Sequence, residues 1–376
     1  LVLSALADPI SAVIRLLLGV EARERSFAAR WVVLVACGVG LLGVLVAKQK
    51  IRLPMLALGF LALYLLRMVL DQGRFEKSDE DLLYYLAGTL IPAVSVAVMA
   101  LAWNDQKVAR TCAIVGMATC AMILVVSLTD VASWRSTTEV SAGRLSYDIL
   151  NPIAIGNVGA MTAIASACLL LEQRRWWTIV GLAAGLVVLG LSLSRGPLVS
   201  LGACLAAYFF VTRRWRLLAL MGAALVGVTF TDGFQEVLRS LRLDDLGHDA
   251  ASAERLIVLR YAFAAIGENP LFGTSYLEPI TGLYPHNLFV DAALALGIGG
   301  LLALIWISAR SLMVGVWGMR RGDVFLPMVL VYWLVEAQFS GAVWSNSMFW
   351  LPAVIVLAHA GLVRSPAPFQ LQPSRC

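Results

Sequence analysis

Along most of the chain, apolar residues follow one another without alternation and stop at short polar turns. The runs are about 17–25 residues long, the length of a membrane-crossing helix. Barrel strands would instead alternate apolar and polar positions. The pattern predicts about twelve spanning helices, near 1–20, 27–47, 51–70, 82–102, 109–129, 150–171, 176–193, 196–211, 215–231, 286–309, 324–340 and 344–363. The first carries Asp8, Pro9 and Arg15 and reads equally as an interfacial helix or a signal-like anchor without a cleavage site. The predicted class is an all-α integral membrane protein.

One long interruption, 232–285, breaks the series. Within it "GFQEVLRSLRL" (233–243) places Phe234, Val237, Leu238 and Leu241 on one helical face. "DAASAERLIVLRYAFAAIGENP" (249–270) does the same with Leu256, Leu259, Phe263 and Ile266; Asp249 or Ser252 can cap it and Asn269-Pro270 ends it. Two amphipathic helices over the end of the bundle would make a lid or groove. The expected organisation is nine spans in 1–231, this helical loop in 232–285, three spans in 286–364, and a disordered tail, "SPAPFQLQPSRC", from 365 to 376.

Composition supports the membrane reading. The chain is 60% hydrophobic and 14% charged, against roughly 25% charged residues in soluble domains. The net charge of +5 has a topological origin. Alternate connections, "AKQKIR" (47–52), "NDQKVAR" (104–110), "EQRRW" (172–176), "TRRWR" (212–216) and "GMRRGD" (318–323), are rich in Lys and Arg, whereas "DQGRFEKSDED" (71–81) on the other side is mixed. The positive-inside rule makes the first set cytoplasmic and the long loop extracytoplasmic. The basic balance therefore does not point to nucleic acid. Cys37, Cys112, Cys120, Cys168 and Cys204 fall inside spans, so they read as small packing residues, not as a disulfide framework.

Four polar residues do not fit the topology rule. Arg195 interrupts two apolar runs in "LSLSRGPLVSLG" (191–202), Arg255 and Arg260 flank the apolar stripe of the second loop helix, and His286 follows Pro285 at a helix start. Singly, each has a structural reading: a snorkelling arginine, solvated helix arginines, a capping histidine. Together they come from three stretches and share the outer side. An imidazole among guanidiniums suits a phosphate or pyrophosphate ligand. A helix N-terminus would keep the imidazole neutral and fit it to act as a base. Arg67, Arg239, Arg242, His248 and His359 read as solvated or interfacial groups. No HExxH or CxxC sequence suggests a metal or redox centre.

Three stretches resemble the O-antigen ligase, O-antigen polymerase and bacterial O-oligosaccharyltransferase superfamily. They are "SLSRGPLVSLG" (192–202), "ERLIVLRYAFAAIGENPLFGTSY" (254–276) and "PHNLFVDAALALGIGGLLAL" (285–304); "LNPIAIGNVGAM" (150–161) adds a weaker match. Leu259 stands where the family commonly has an aromatic. The resemblance implies a type-C membrane glycosyltransferase that needs no cofactor or metal. It implies a donor glycan on undecaprenyl pyrophosphate and, for a ligase of lipopolysaccharide biosynthesis, a lipid A core sugar as acceptor, at the periplasmic face of a bacterial inner membrane. It further implies His286 as the catalytic base and Arg195, Arg255 and Arg260 as pyrophosphate ligands. Arg255 is favoured over Arg260 by its spacing to Asn269-Pro270, and Asn287 and Asn151 would support the acceptor. A polymerase acting on another lipid-linked repeat is the alternative. A transporter of a lipid-linked anionic glycan is a third reading, weakened by the absence of an inverted repeat between the halves.

Overall fold

The structure, a computed structural model, describes residues 34–40, 42–43, 53–76, 78–100, 103–129, 151–173, 175–229 and 250–360. The expected 1–20 span, most of 27–47, the first loop helix at 233–243, Asp249, His248 and the 365–376 tail lie outside these residues.

Among the described residues every regular element is helical. In chain order they are α1 (Met55–Leu70), α2 (Ser78–Met99), α3 (Asp105–Thr129), α4 (Pro152–Gln173), α5 (Trp176–Ser192), α6 (Arg195–Val211), α7 (Trp215–Thr229), α8 (Ala250–Glu268), α9 (Leu288–Arg321), α10 (Phe325–Ser340) and α11 (Ser347–Ala360). By length and composition α2, α3, α4 and α9 can each cross a membrane, and α1, α5, α6, α10 and α11 are shorter apolar helices. The predicted spans coincide with these helices but not always with their ends. α9 continues to Arg321 instead of stopping near 309, and α11 starts at Ser347 because 341–346 is non-helical.

Helices in a bilayer gain little from hydrophobicity alone, so close backbone approach must hold them together. α4 and α5 meet in this way. A Cβ added at Gly159 would lie 2.6 Å from the carbonyl oxygen of Gly185, and one added at Gly185 would lie 2.6 Å from that of Gly159. α3 packs against both, α6 packs against α10, and α9 lies against α1, α10 and α11. Buried aromatic side chains, among them Tyr64, Tyr85, Tyr332, Phe349 and Trp350, fill the centre.

α9 is broken once, at Gly297, where φ is 68° and ψ −162°. In a continuous helix the Ile298 N–H would donate to the Leu294 carbonyl. Here it donates to Pro270 O at 2.8 Å, and Leu294 O accepts from Thr274 N at 2.7 Å. The Asn269–Gly273 segment thus plugs into the break, and the Ile298 N–H and the Leu294 carbonyl find new partners in it and in Thr274. Two glycines permit it. A Cβ at Gly297 would collide with Leu271 O, and one at Gly273 (φ 71°) would lie 2.5 Å from Leu294 O.

α8 is helical as expected, but its buried face differs from the predicted one. Leu256 and Phe263 point outward, 58% and 56% exposed, whereas Val258, Ala262 and Ala265 are buried. Ala262 and Ala265 pack on Leu294 of α9. Small side chains let the two helices approach.

Candidate functional site

The chain between α8 and α9 doubles back over the ends of α1 and α2. Asp71 at the C-terminus of α1 accepts from Tyr276 N at 2.9 Å and pairs with Arg67 at 3.0 Å and Arg74 at 3.3 Å. Arg74 also donates to Thr274 O at 3.0 Å. Glu278 closes a tight turn by accepting from Ile280 N and Thr281 N. Further on, Asp291 in the first turn of α9 is fully buried and accepts from Tyr64 Oη of α1 at 2.9 Å and Val343 N at 2.7 Å. These contacts fix the position of the residues between them, 284–287.

His286 lies there, though not at the helix start expected of it. The N-cap of α9 is Asn287, whose Oδ1 accepts from Phe289 N and Val290 N, both at 3.1 Å. His286 precedes the cap in left-handed conformation, with φ 54°. A non-glycine residue pays for that conformation, so the surroundings hold it. Its ring sits 4.2 Å from that of Tyr284, and Tyr284 meets Trp344 edge-on at 6.0 Å. The His286 Nδ1 is buried and has no hydrogen-bond partner among the described residues. Burial, and then the Arg255 guanidinium, push its pKa down to about 4. The direction agrees with the sequence argument, but burial is the larger cause.

Arg255 is half-buried on the side of α8 that faces the bundle, and its charge acts on His286, Tyr284 and Glu336. Burial raises the Tyr284 pKa, and Arg255 opposes the rise. Arg260 is exposed. Five residues along a helix is about 140° of rotation, so the two arginines cannot serve the same face.

Glu336 was not singled out in the sequence, and it connects the remaining parts. It is 1% exposed, in the last turn and a half of α10. Ser200 of α6 donates to its Oε2 at 3.2 Å and Ser340 to its Oε1 at 3.0 Å. Asn157 of α4 also hydrogen-bonds it, and the Asn157 Oδ1 accepts from Tyr332 Oη at 2.5 Å. The carboxylate lies against the first turn of α6, so close that a Cβ at Gly196 would come within 2.7 Å of Oε2. This explains the glycine after Arg195. It also suits the electrostatics, since a helix N-terminus attracts negative charge. Arg195 itself opens α6 after Ser194, with Leu193 in left-handed conformation ending α5. Its Nε and Nη2 are buried.

The structure therefore brings Arg255 to His286, and brings both Arg255 and the Arg195–Gly196 turn to Glu336. It leaves Arg260 outside this group. Asn287 is committed to capping α9, and Asn151, exposed before α4, accepts from Ala154 N at 2.7 Å. The signal for Glu336 was present: an acid inside an apolar run is a functional candidate by default. Asn157 sat inside a quoted motif without being given a role.

Cationic side chains can hold a diphosphate, and a neutral imidazole beside them can accept a hydrogen bond from an incoming hydroxyl. Among the described residues no group of three His, Cys, Asp or Glu side chains is placed to hold a metal ion.

No match was found among curated proteins. Residues 180–305, a third of the chain, match the family model described as O-antigen ligase. The matched segment contains Arg195, Arg255, His286 and both glycines of the α9 break. Over these residues the chain is similar to the O-antigen ligase family, whose members are glycosyltransferase-like membrane enzymes, and among the described residues four helices are long and apolar enough to cross a membrane.

Proposed function

We propose that the protein is a metal-independent, inverting glycosyltransferase. It moves a glycan from undecaprenyl pyrophosphate to a sugar hydroxyl of the lipid A core, at the periplasmic face of a bacterial inner membrane. The observation that carries this reading is the half-buried imidazole of His286, its Nδ1 out of solvent and unpartnered among the described residues, within reach of the charge of Arg255.

Arg195 and Arg255 hold the pyrophosphate and stabilise the charge that grows on it as the C1–O bond breaks. The acceptor hydroxyl attacks C1 from the opposite side, which inverts the anomeric carbon. His286 takes the hydroxyl's hydrogen bond and receives its proton as the new bond forms. A base with a pKa near 4 is weaker than the ideal near neutrality. Its main work is therefore orientation, with proton acceptance late, when bonding to C1 has made the hydroxyl acidic. Glu336 does not touch the reacting atoms in this scheme. It fixes the first turn of α6 and sets the field in which Arg255 sits.

The test is reconstitution in liposomes with a lipid-linked glycan and lipid A core in one arm and the lipid-linked glycan alone in the other. Transfer to the core supports the ligase reading. Chain extension in the second arm would make it a polymerase, and movement of the donor across the bilayer without transfer would make it a transporter.

A further inference from the structure

α9 has 34 residues, ~50 Å of helix at 1.5 Å per residue, so its C-terminal end lies far from His286. At that end the chain forms a half-open cavity of about 250 Å³. Trp103 and Asp105 border it from the α2–α3 junction, Gly315, Gly318 and Arg321 from α9, and His359 from α11. Asp323, in the turn before α10, completes the polar lining. The space exists because α9 presents glycines there. A Cβ at Gly318 would meet nothing closer than 3.7 Å, so the position accepts a methyl but a larger side chain would enter the cavity.

The lining carries both signs of charge. The Arg321 guanidinium is stacked 3.2 Å from the centroid of the Trp317 ring, which holds it at the cavity. His359 adds a second group able to donate to an anion. Asp105 is committed, accepting from Phe325 N at 2.8 Å and Leu326 N at 3.0 Å, and it caps α10 from outside. Asp323 makes no side-chain hydrogen bond or ion pair among the described residues, and Glu172 lies close enough to feel the charge of both aspartates. An anion alone would face these acids, and a cation alone would face Arg321. A zwitterion satisfies both. Two tryptophans at a helix end mark the depth of lipid head groups, and the walls of Val314, Leu326 and Val356 can take the start of acyl chains. The volume equals that of about eight waters, enough for a phosphate joined to a short amine.

We propose that this cavity seats the head group of a phospholipid with a primary ammonium, a phosphatidylethanolamine, in the leaflet opposite the candidate site. The phosphate lies on Arg321 and His359, and the ammonium on Asp323. A primary ammonium can donate to Asp323, which a trimethylammonium cannot.

Native mass spectrometry of the detergent-purified full chain tests this. Phosphatidylethanolamine, phosphatidylglycerol and phosphatidylcholine of identical acyl chains would be added in equal amounts, with soluble phosphoethanolamine in a separate arm. The wild type should retain phosphatidylethanolamine in preference to the other two and should hold no phosphoethanolamine. Loss of one charge-assisted hydrogen bond corresponds to about tenfold weaker binding, so Asp323→Asn should lower retention by that factor. Gly318→Leu should abolish it. Should Gly318→Leu not fold, Asp323→Asn decides alone. Equal retention of the three lipids, preference for phosphatidylglycerol, binding of the soluble compound as strong as the lipid, or an unchanged preference in Asp323→Asn would each overturn the assignment. Glycan transfer does not enter the readout, so the result is independent of the proposed reaction.

Discussion

Two junctions in this molecule are built on glycine, and they use it in opposite ways. Where α4 crosses α5, Gly159 and Gly185 keep helical geometry and only remove bulk, so two regular helices touch through their backbones. Where the 269–275 segment meets α9, Gly273 and Gly297 adopt positive φ, and the helix is broken and re-bonded to a loop. The first junction is scaffold. The second carries the chain that ends in His286. Regular packing tolerates small errors by sliding apart, but a broken helix whose freed Ile298 N–H and Leu294 carbonyl are bonded to a loop fixes that loop in register. Places where local rules are violated and compensated are where function is to be expected.

The largest expected effect tests that contrast directly. Gly297→Val forces a β-branched residue to positive φ and drives its Cβ into Leu271 O. The conformational cost at φ 68°, ψ −162°, a region essentially reserved for glycine, is about 1–3 kcal/mol and overpacking adds about 1–3 kcal/mol, a large share of a typical total stability. Little folded protein should be recovered on size-exclusion chromatography in detergent. Gly185→Ala should lower the melting temperature, while the molecules that fold transfer glycan at the normal rate. Gly190→Ala meets nothing within 4 Å and serves as control. A Gly297→Val protein with normal melting would mean that the break in α9 is incidental.

Second in size is Arg255→Ala. If the guanidinium supports the departing pyrophosphate, transfer should fall about 10²–10³-fold, read as initial rate in proteoliposomes, with the melting curve little changed. Arg255→Lys should recover only part of the loss, because a point charge does not reproduce a planar fork on phosphate oxygens. Full recovery with Lys would leave Arg255 only a general electrostatic role.

Much of this arrangement was legible in the sequence, and the failures have identifiable causes. Helices were readable because apolar runs of membrane length are unambiguous. The break in α9 was not, because "ALALGIGG" reads as a continuous apolar run; only the loop at Pro270–Thr274 reveals why two glycines are needed there. The buried face of α8 was misjudged by ranking side chains by hydrophobicity. Val258, Ala262 and Ala265 take the inner face on size, and of the expected stripe only Leu259 and Ile266 are half-buried. Glu336 was passed over because one acid does not end an apolar run. Its partners Ser200, Ser340 and Asn157 come from three helices, and no spacing in the sequence announces such a meeting.

A third effect is on pH dependence. In the proposed reaction the working form of His286 is neutral, and its pKa is lowered to about 4. Transfer should therefore stay level from neutral pH down to about pH 5 and fall only as the pH drops through about 4. Arg255 is one of the two causes of the lowered value. Removing it should move the acid limb of the residual activity upward, toward the ordinary histidine range near 6.5. An acid limb already near 6.5 in the wild type would place the ring in a wetter, less charged setting than its packing on Tyr284 and the charge of Arg255 describe.

The smallest expected effect belongs to Arg260, and it separates the two faces of α8. Its side chain is exposed, and it lies on the side of the helix away from Val258 and Ala262, the positions that pack inward. Burial and orientation thus set it apart from Arg255, although the sequence alone counts both as candidate pyrophosphate ligands. An exposed arginine contributes little to stability, and removing one changes it by within about 0.5 kcal/mol. Transfer by Arg260→Ala should be within about twofold of wild type, since twofold is only ~0.4 kcal/mol at the barrier. Raising the salt concentration should reduce even that difference, because exposed charges are screened over about 10 Å at 0.1 M. The measurement is a side-by-side initial-rate assay of Arg255→Ala and Arg260→Ala at two ionic strengths. If Arg260→Ala proved the more damaging and its defect persisted at high salt, Arg260 would be the residue in contact with the donor. α8 would then have to turn by more than a third of a revolution when substrate binds, and the inward packing of Ala262 and Ala265 on Leu294 would describe only the empty state.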